Sequence, residues 1–240
     1  MRIRMQTRYP SCAALLALAM LYPLASTAQE STAQQSKAQD EQYDLVRTVH
    51  IFDEPRHRTV HVDGDIRVLD VQINPGDTTL PHTHDAAIMY TFISNGDGPL
   101  YGRLSSVTEY ASEPLTHRVN NAGPELFRII ALVNQGPPLA DSNDRPAIAE
   151  EPALENPWFR SYRIELAPGQ STALRAHLNP GLIVQVAEGL VHVSREDGIT
   201  AELNAMGDWA WRDAGSAFKV SNVGNTAVAV VINEARRQPQ

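Results

Sequence analysis

The chain has a single cysteine, Cys12, and none in the 228 residues that follow it. Disulfide stapling and thiol nucleophiles are therefore excluded for nearly the whole chain, and stability must come from a packed core. Long hydrophobic runs are also missing. The most extended apolar stretch, 13–25, spans 13 residues, against the roughly 20 that a membrane helix needs. An excess of positive charge is absent too. Setting aside Arg2, Arg4 and Arg8, the 17 remaining basic residues face 28 acidic ones, a balance that disfavours generic binding to nucleic acid or anionic membranes. No GxSxG nucleophile elbow, GxxxxGK phosphate loop or GxGxxG dinucleotide turn occurs.

What is present begins with three arginines and no acid, the apolar run "AALLALAMLYPLA", and small residues ending at Ala28. This pattern reads as a secretory signal over 1–28, with cleavage after Ala28 and a mature chain in the periplasm or secreted. Residues 29–42 are polar and read as a flexible leader. The stretch 134–157, "NQGPPLADSNDRPAIAEEPALENP", has prolines, acids and no steady period. It reads as a linker between an N-terminal unit, 43–133, and a C-terminal unit, 158–235, with 236–240 as a tail.

Both units alternate apolar and polar residues over short runs, as in "IRVLDVQI", "FRSYRIEL" and "FKVSNVG", separated by Gly, Asn, Asp and Pro. A period of two with frequent turns predicts an all-β fold of antiparallel sheets in a sandwich or barrel. The units also match each other. "LDVQINPGDTTLPHTH" aligns with "YRIELAPGQSTALRAH", pairing Gly76 with Gly169, His82 with Arg175 and His84 with His177. "HRVNNAG" aligns with "FKVSNVG", pairing His117 with Phe218 and Asn121 with Asn222. One small β domain has been duplicated.

These residues resemble the cupin superfamily. Its first motif is a glycine, five residues, His-x-His, three or four residues, a glutamate, six residues and a glycine. Gly76, His82, His84 and Gly96 match it, with Met89 at the glutamate position. Its second motif ends in a histidine, three residues and an asparagine, matched by His117 and Asn121. The resemblance covers most of the mature chain and implies a bicupin: two jelly-roll β-barrels, or double-stranded β-helices. In the second unit Arg175 and Phe218 occupy ligand positions and Leu182 falls near the glutamate position, so His177 stands alone and the site reads as lost.

In an extended strand His82 and His84 point to one side, and His117 opens a later strand that reaches the same lumen. Neutral imidazoles suit a divalent transition metal, Fe(II) first, with Ni, Co, Cu and Zn as alternatives. The competing reading makes the three histidines satisfied polar residues at a barrel mouth. Met89 reads as a lumen filler rather than a ligand, because a thioether cannot replace a carboxylate. A fourth ligand from Glu109 or another acid stays open. Three neutral ligands leave the ion's charge uncancelled and favour a small anionic molecule in the remaining positions. Trp209 and Trp211 share one strand face, for packing between units or for a carbohydrate platform. Arg175 reads as a surface charge or as an anion contact. Three-histidine sites occur in cupin dioxygenases acting on small thiols or diketones, so the resemblance implies dioxygenase-like chemistry. The alternative is a non-catalytic periplasmic binding or accessory protein for a small acid or sugar. Pairing of sheet edges into a homodimer completes the expectations.

Overall fold

The structure is a computed structural model that describes residues 47–139 and 148–237. The signal, the polar leader, the middle of the linker and the last three residues of the tail lie outside this range. The N-terminal half has eight strands: β1 (Val49–His50), β2 (His57–Asp63), β3 (Ile66–Ile73), β4 (His82–His84), β5 (Ala87–Asn95), β6 (Pro99–Val107), β7 (Leu115–His117) and β8 (Phe127–Asn134). The C-terminal half has nine: β9 (Leu154–Glu155), β10 (Phe159–Leu166), β11 (Arg175–Ala176), β12 (Gly181–Gln185), β13 (Val191–Arg195), β14 (Thr200–Leu203), β15 (Trp209–Arg212), β16 (Ala217–Asn222) and β17 (Val228–Ala235). No helix among the described residues is long and apolar enough to cross a membrane.

Each half builds a five-stranded sheet and a smaller one. The N-terminal sheets run β2-β3-β8-β5-β6 and β1-β4-β7, and the C-terminal sheets β15-β12-β17-β10-β9 and β11-β16-β13-β14. Pairing is antiparallel except between β1 and β4, where Val49 faces His82 and His50 faces Thr83. The all-β, duplicated, antiparallel expectation therefore holds, with one short parallel pair added.

The duplication is visible bond by bond. Gly76 and Gly169 both lie in the left-handed region, at φ 78° and 76°, where a side chain is penalised. Their amides donate to Asn121 O and Asn222 O. The Asn121 amide donates to Ile73 O and Glu125 O and accepts from Gly123 N. Asn222 does the same with Leu166 O, Thr226 O and Gly224 N. Each asparagine thus ties three backbone groups that burial would otherwise strand.

The central strands are buried on both faces, so they read as near-continuous apolar runs rather than clean alternation. Leu69, Ile88 and Ala131 line the N-terminal lumen; Ile183, Val230 and Ile232 line the C-terminal one. The opposite faces of the two large sheets meet in a shared core containing Val68, Met89, Leu132, Phe159, Leu182, Val184 and Val231. Each full burial of such a side chain contributes about 1.5–3 kcal/mol. A polar bridge crosses this core. Ser161 Oγ–H donates to Asn233 Oδ1 at 2.8 Å and touches Met89 Sδ, and Asn233 Nδ2 donates to Thr91 Oγ1. Arg128 adds a second tie, bonding Asp70 in its own half and the carbonyls of Met206 and Gly207 in the other.

One register expectation is overturned here. Met89 does not face the N-terminal lumen; it packs between the halves. Leu182 likewise faces the shared core, with Ile183 turned into its lumen. The motif count runs through residues 85–86, which break the strand between β4 and β5. The alternation set by His82 and His84 carries across that break without a shift, so Ile88 and Tyr90 face the lumen and Met89 the opposite side. Trp209 and Trp211 pack against the shared core, as the packing alternative for them required.

Candidate metal centre

The histidines come from the small sheet. His82 pairs with His117 across β4 and β7, and His84 pairs with Leu115. Alternation along β4 buries His82 and His84 together while Thr83 turns away to bond Thr116. The three rings form a close triangle, with centroids 5.1 Å apart for His82–His84, 4.7 Å for His82–His117 and 4.9 Å for His84–His117. One ring nitrogen from each lies within 4.8 Å of the others. The structure therefore brings together all three histidines singled out from sequence.

The donor set fits a metal ion. His82 donates Nδ1–H to Leu80 O, which leaves a bare Nε2 that is buried and without a hydrogen-bond partner. His84 Nε2 and His117 Nε2 stand 3.0 Å apart. Two facing nitrogens need a proton or a cation between them. His82, His84 and His117 are the residues that would hold such an ion.

Among the described residues no carboxylate completes this triangle, and Glu109 does not supply one. It is exposed on a single helical turn after β6, where its carboxylate accepts from Thr108 N. Asp85 also turns outward and meets His50 at 2.9 Å. The buried acid near the site is Glu54, which the motif reading missed. It accepts from Arg56 N, Leu80 N and His57 Nδ1. His57 was missed as well. It opens β2, is buried, and lies with its ring tilted 4.4 Å from that of His82 and 6.5 Å from that of His84. The available signal was "EPRH", a Glu and a His three apart just before a strand, but no spacing rule ties that segment to residues 82–117.

Below the histidines lies a cavity of about 170 Å³. Its walls are Ile51, Val71, Ile73, Ile88, Tyr90, Phe92, Val119, Phe127 and Ile129, with His57, His84 and His117 at one end. No lysine, arginine, aspartate or glutamate lines it. Tyr90 is hydrogen-bonded to Tyr110, and burial pushes its hydroxyl well above the usual range, so it stays protonated. Tyr110 in turn rests on His84 at 4.9 Å.

Burial also keeps the imidazoles uncharged. Desolvation, followed by repulsion from neighbouring histidines, takes His57 and His84 from 6.5 down to about 3. His82 and His117 are lowered too, in both cases chiefly by burial. The consequence for stability has a definite sign. As pH falls below 6.5 the unfolded chain takes up protons that the folded chain refuses, so stability is complete above 6.5 and is lost progressively toward about 3. In metal-free protein His57 and His84 should each remove up to about 1.4 kcal/mol per pH unit in that window. Urea unfolding at pH 7.5, 6 and 5 measures this; a flat midpoint would refute it.

The C-terminal half has lost the donor set. Arg175 pairs with Phe218 in the register that joins His82 to His117. Phe218 is buried and stacks at 4.4 Å on His177, whose Nδ1 is held by Glu234 at 2.8 Å. Arg175 is exposed and lines a cavity of about 260 Å³ with Gln170, Thr172, Glu165 and His177.

No family profile matches the chain, and no curated protein does. Among solved structures, AerE from Microcystis aeruginosa superposes with TM-score 0.52 at 12% identity, covering 77% of this chain and 99% of AerE. A cupin 2 conserved barrel domain protein from Leptotrichia buccalis gives 0.44 at 10% identity, covering 75% and 88% of the two chains. A cupin domain from Bordetella pertussis Tohama I gives 0.33 at 21% identity, covering 39% of this chain and 97% of its own. The likeness to AerE is one of fold.

Proposed function

We propose that the N-terminal lumen is a metal centre, with His82, His84 and His117 as ligands, for a small organic anion whose body is apolar. The observation that carries this reading is the union of a neutral three-nitrogen face with a cavity free of charged walls. A divalent ion on three uncharged ligands keeps its full charge and attracts an anionic chelating head. The aliphatic and aromatic walls take up hydrocarbon and offer little to a sugar or a polyhydroxy acid, whose hydroxyls would be buried without partners. At about 170 Å³ the space is below the roughly 300 Å³ of a drug-sized site, so the ligand is compact.

Fe(II) in such a setting would supply oxygen chemistry to a bound enolate or thiolate, and the protein's part is to seat that ligand, keep it dry and hold the imidazoles uncharged. We take the protein to be an exported oxidoreductase of this kind, on the strength of the leader read over 1–28 and the chemistry of the donor set. Metal analysis of protein from its native envelope fraction, followed by oxygen uptake with small β-diketones, thiols, hydroxy acids and sugars, is the test. Stoichiometric iron with uptake confined to the apolar-bodied chelators supports the proposal. Bound metal with ligand binding but no uptake leaves a non-catalytic binding protein, and affinity for sugars alone overturns the reading.

A further inference from the structure

Beside the three-histidine triangle stands a fourth imidazole that is not part of it. His57 is 4.4 Å from the His82 ring but 6.5 Å from that of His84, outside the 4.7–5.1 Å spacing within the triangle. What distinguishes it is its support. The Glu54 side chain, fully buried, accepts from Arg56 N at 2.6 Å, from Leu80 N at 3.2 Å and from Arg56 Nη1 at 3.5 Å. Every one of these partners is a donor, so the carboxylate acts as an acceptor throughout. The fourth partner, His57 Nδ1 at 3.0 Å, must then carry the ring's proton. A neutral imidazole with hydrogen on Nδ1 has a bare lone pair on Nε2, and His57 lines the apolar cavity.

We propose that His57 is the hydrogen-bond acceptor of this lumen, oriented by Glu54 to receive an N–H or O–H from a ligand held at the three-histidine face. The inference rests on the metal-centre reading and adds a selection rule to it. The other polar wall group, the Tyr90 hydroxyl, is already bonded to Tyr110. A chelator that keeps a proton after binding finds its partner in His57; one of equal charge and size without that proton gains nothing from it. His57 is thus a specificity-determining residue, and Glu54 is a positioning residue that acts through it.

Acetohydroxamate and acetylacetonate make a matched pair of probes. Both are compact bidentate oxygen chelators with one negative charge, but only the first keeps an N–H. Protein loaded with Co(II) would be titrated with each, following the visible absorption of the ion. The variant His57→Asn keeps an amide donor for Glu54 and removes the acceptor at the Nε2 position, which the shorter asparagine side chain does not reach. It should bind Co(II) normally, lose about tenfold in acetohydroxamate affinity and stay within about threefold for acetylacetonate. Equal losses for both probes, or no loss for either, overturn the proposal, and so does loss of Co(II) itself from the folded variant, which would make His57 a ligand. A wild-type protein that takes up no Co(II) overturns the metal-centre reading instead and this inference with it. A measurement on the unmodified chain stands beside the variant: long-range 1H–15N correlation of metal-free protein should show His57 as the Nδ1–H tautomer, and an Nε2–H signal refutes the assignment.

Discussion

Replacing His117 with phenylalanine should reduce bound transition metal from about one ion per chain to background while leaving the fold intact. The triangle has three corners, and with one removed the remaining pair cannot hold an open catalytic-type site, which needs three protein ligands. The loss of affinity should exceed the 10–100-fold typical of removing a mere supporting group. The protein contains its own control for the fold. Phe218 occupies the matching place in the C-terminal half, pairs with Arg175 as His117 pairs with His82, and packs on His177. A phenylalanine at 117 has the same opportunity against His84, so circular dichroism and the metal-free thermal midpoint should hardly change. Metal analysis after exhaustive dialysis decides the matter. Undiminished metal in the variant would place the ion elsewhere.

Phe159→Ala should cause the largest loss of stability, about 3–5 kcal/mol. Phe159 is fully buried at the start of β10, where it belongs to the core shared by the two large sheets. Removing its ring leaves a cavity that flanking side chains on a β-sheet framework can close only in part. For a folded unit of this size the midpoint should fall by about 6–20 °C. Val62→Ala is the reference: Val62 lies on the edge strand β2 with 50% of its surface exposed, and it should cost within about 0.5 kcal/mol. Differential scanning calorimetry of the two variants separates the cases. Comparable midpoints would mean that the contact between the large sheets carries little of the stability.

The site shows where reading along the chain succeeds and where it stops. His82, His84 and His117 were legible because strand alternation is a local rule and the duplicated second half supplies a second copy of the pattern for alignment. Asn121 was legible for the same reason, and its three backbone bonds are those that a turn of this kind requires. Met89 was misplaced because the motif count was followed in place of strand alternation: the even-numbered lumen face set by His82 and His84 continues through Ile88 and Tyr90, so Met89 falls on the opposite face. Glu54 and His57 were not found. Their closeness to the histidines depends on β1 lying parallel to β4 and on Leu80 N reaching back to the Glu54 carboxylate, both of which join segments more than 25 residues apart.

Short-range chemistry in the chain is thus enough to determine an all-β duplicated architecture, a set of turn glycines and asparagines, and three histidines spaced for one strand face and its neighbour. Each of those follows from backbone sterics and side-chain period, which act over a few residues. The closeness of the triangle, the absence of charge from the cavity beneath it and the Glu54–His57 pair beside it were decided only by tertiary structure. They depend on which strands pair and which faces meet, and those choices come from burying two faces of each large sheet at once, a property of the whole assembly of strands.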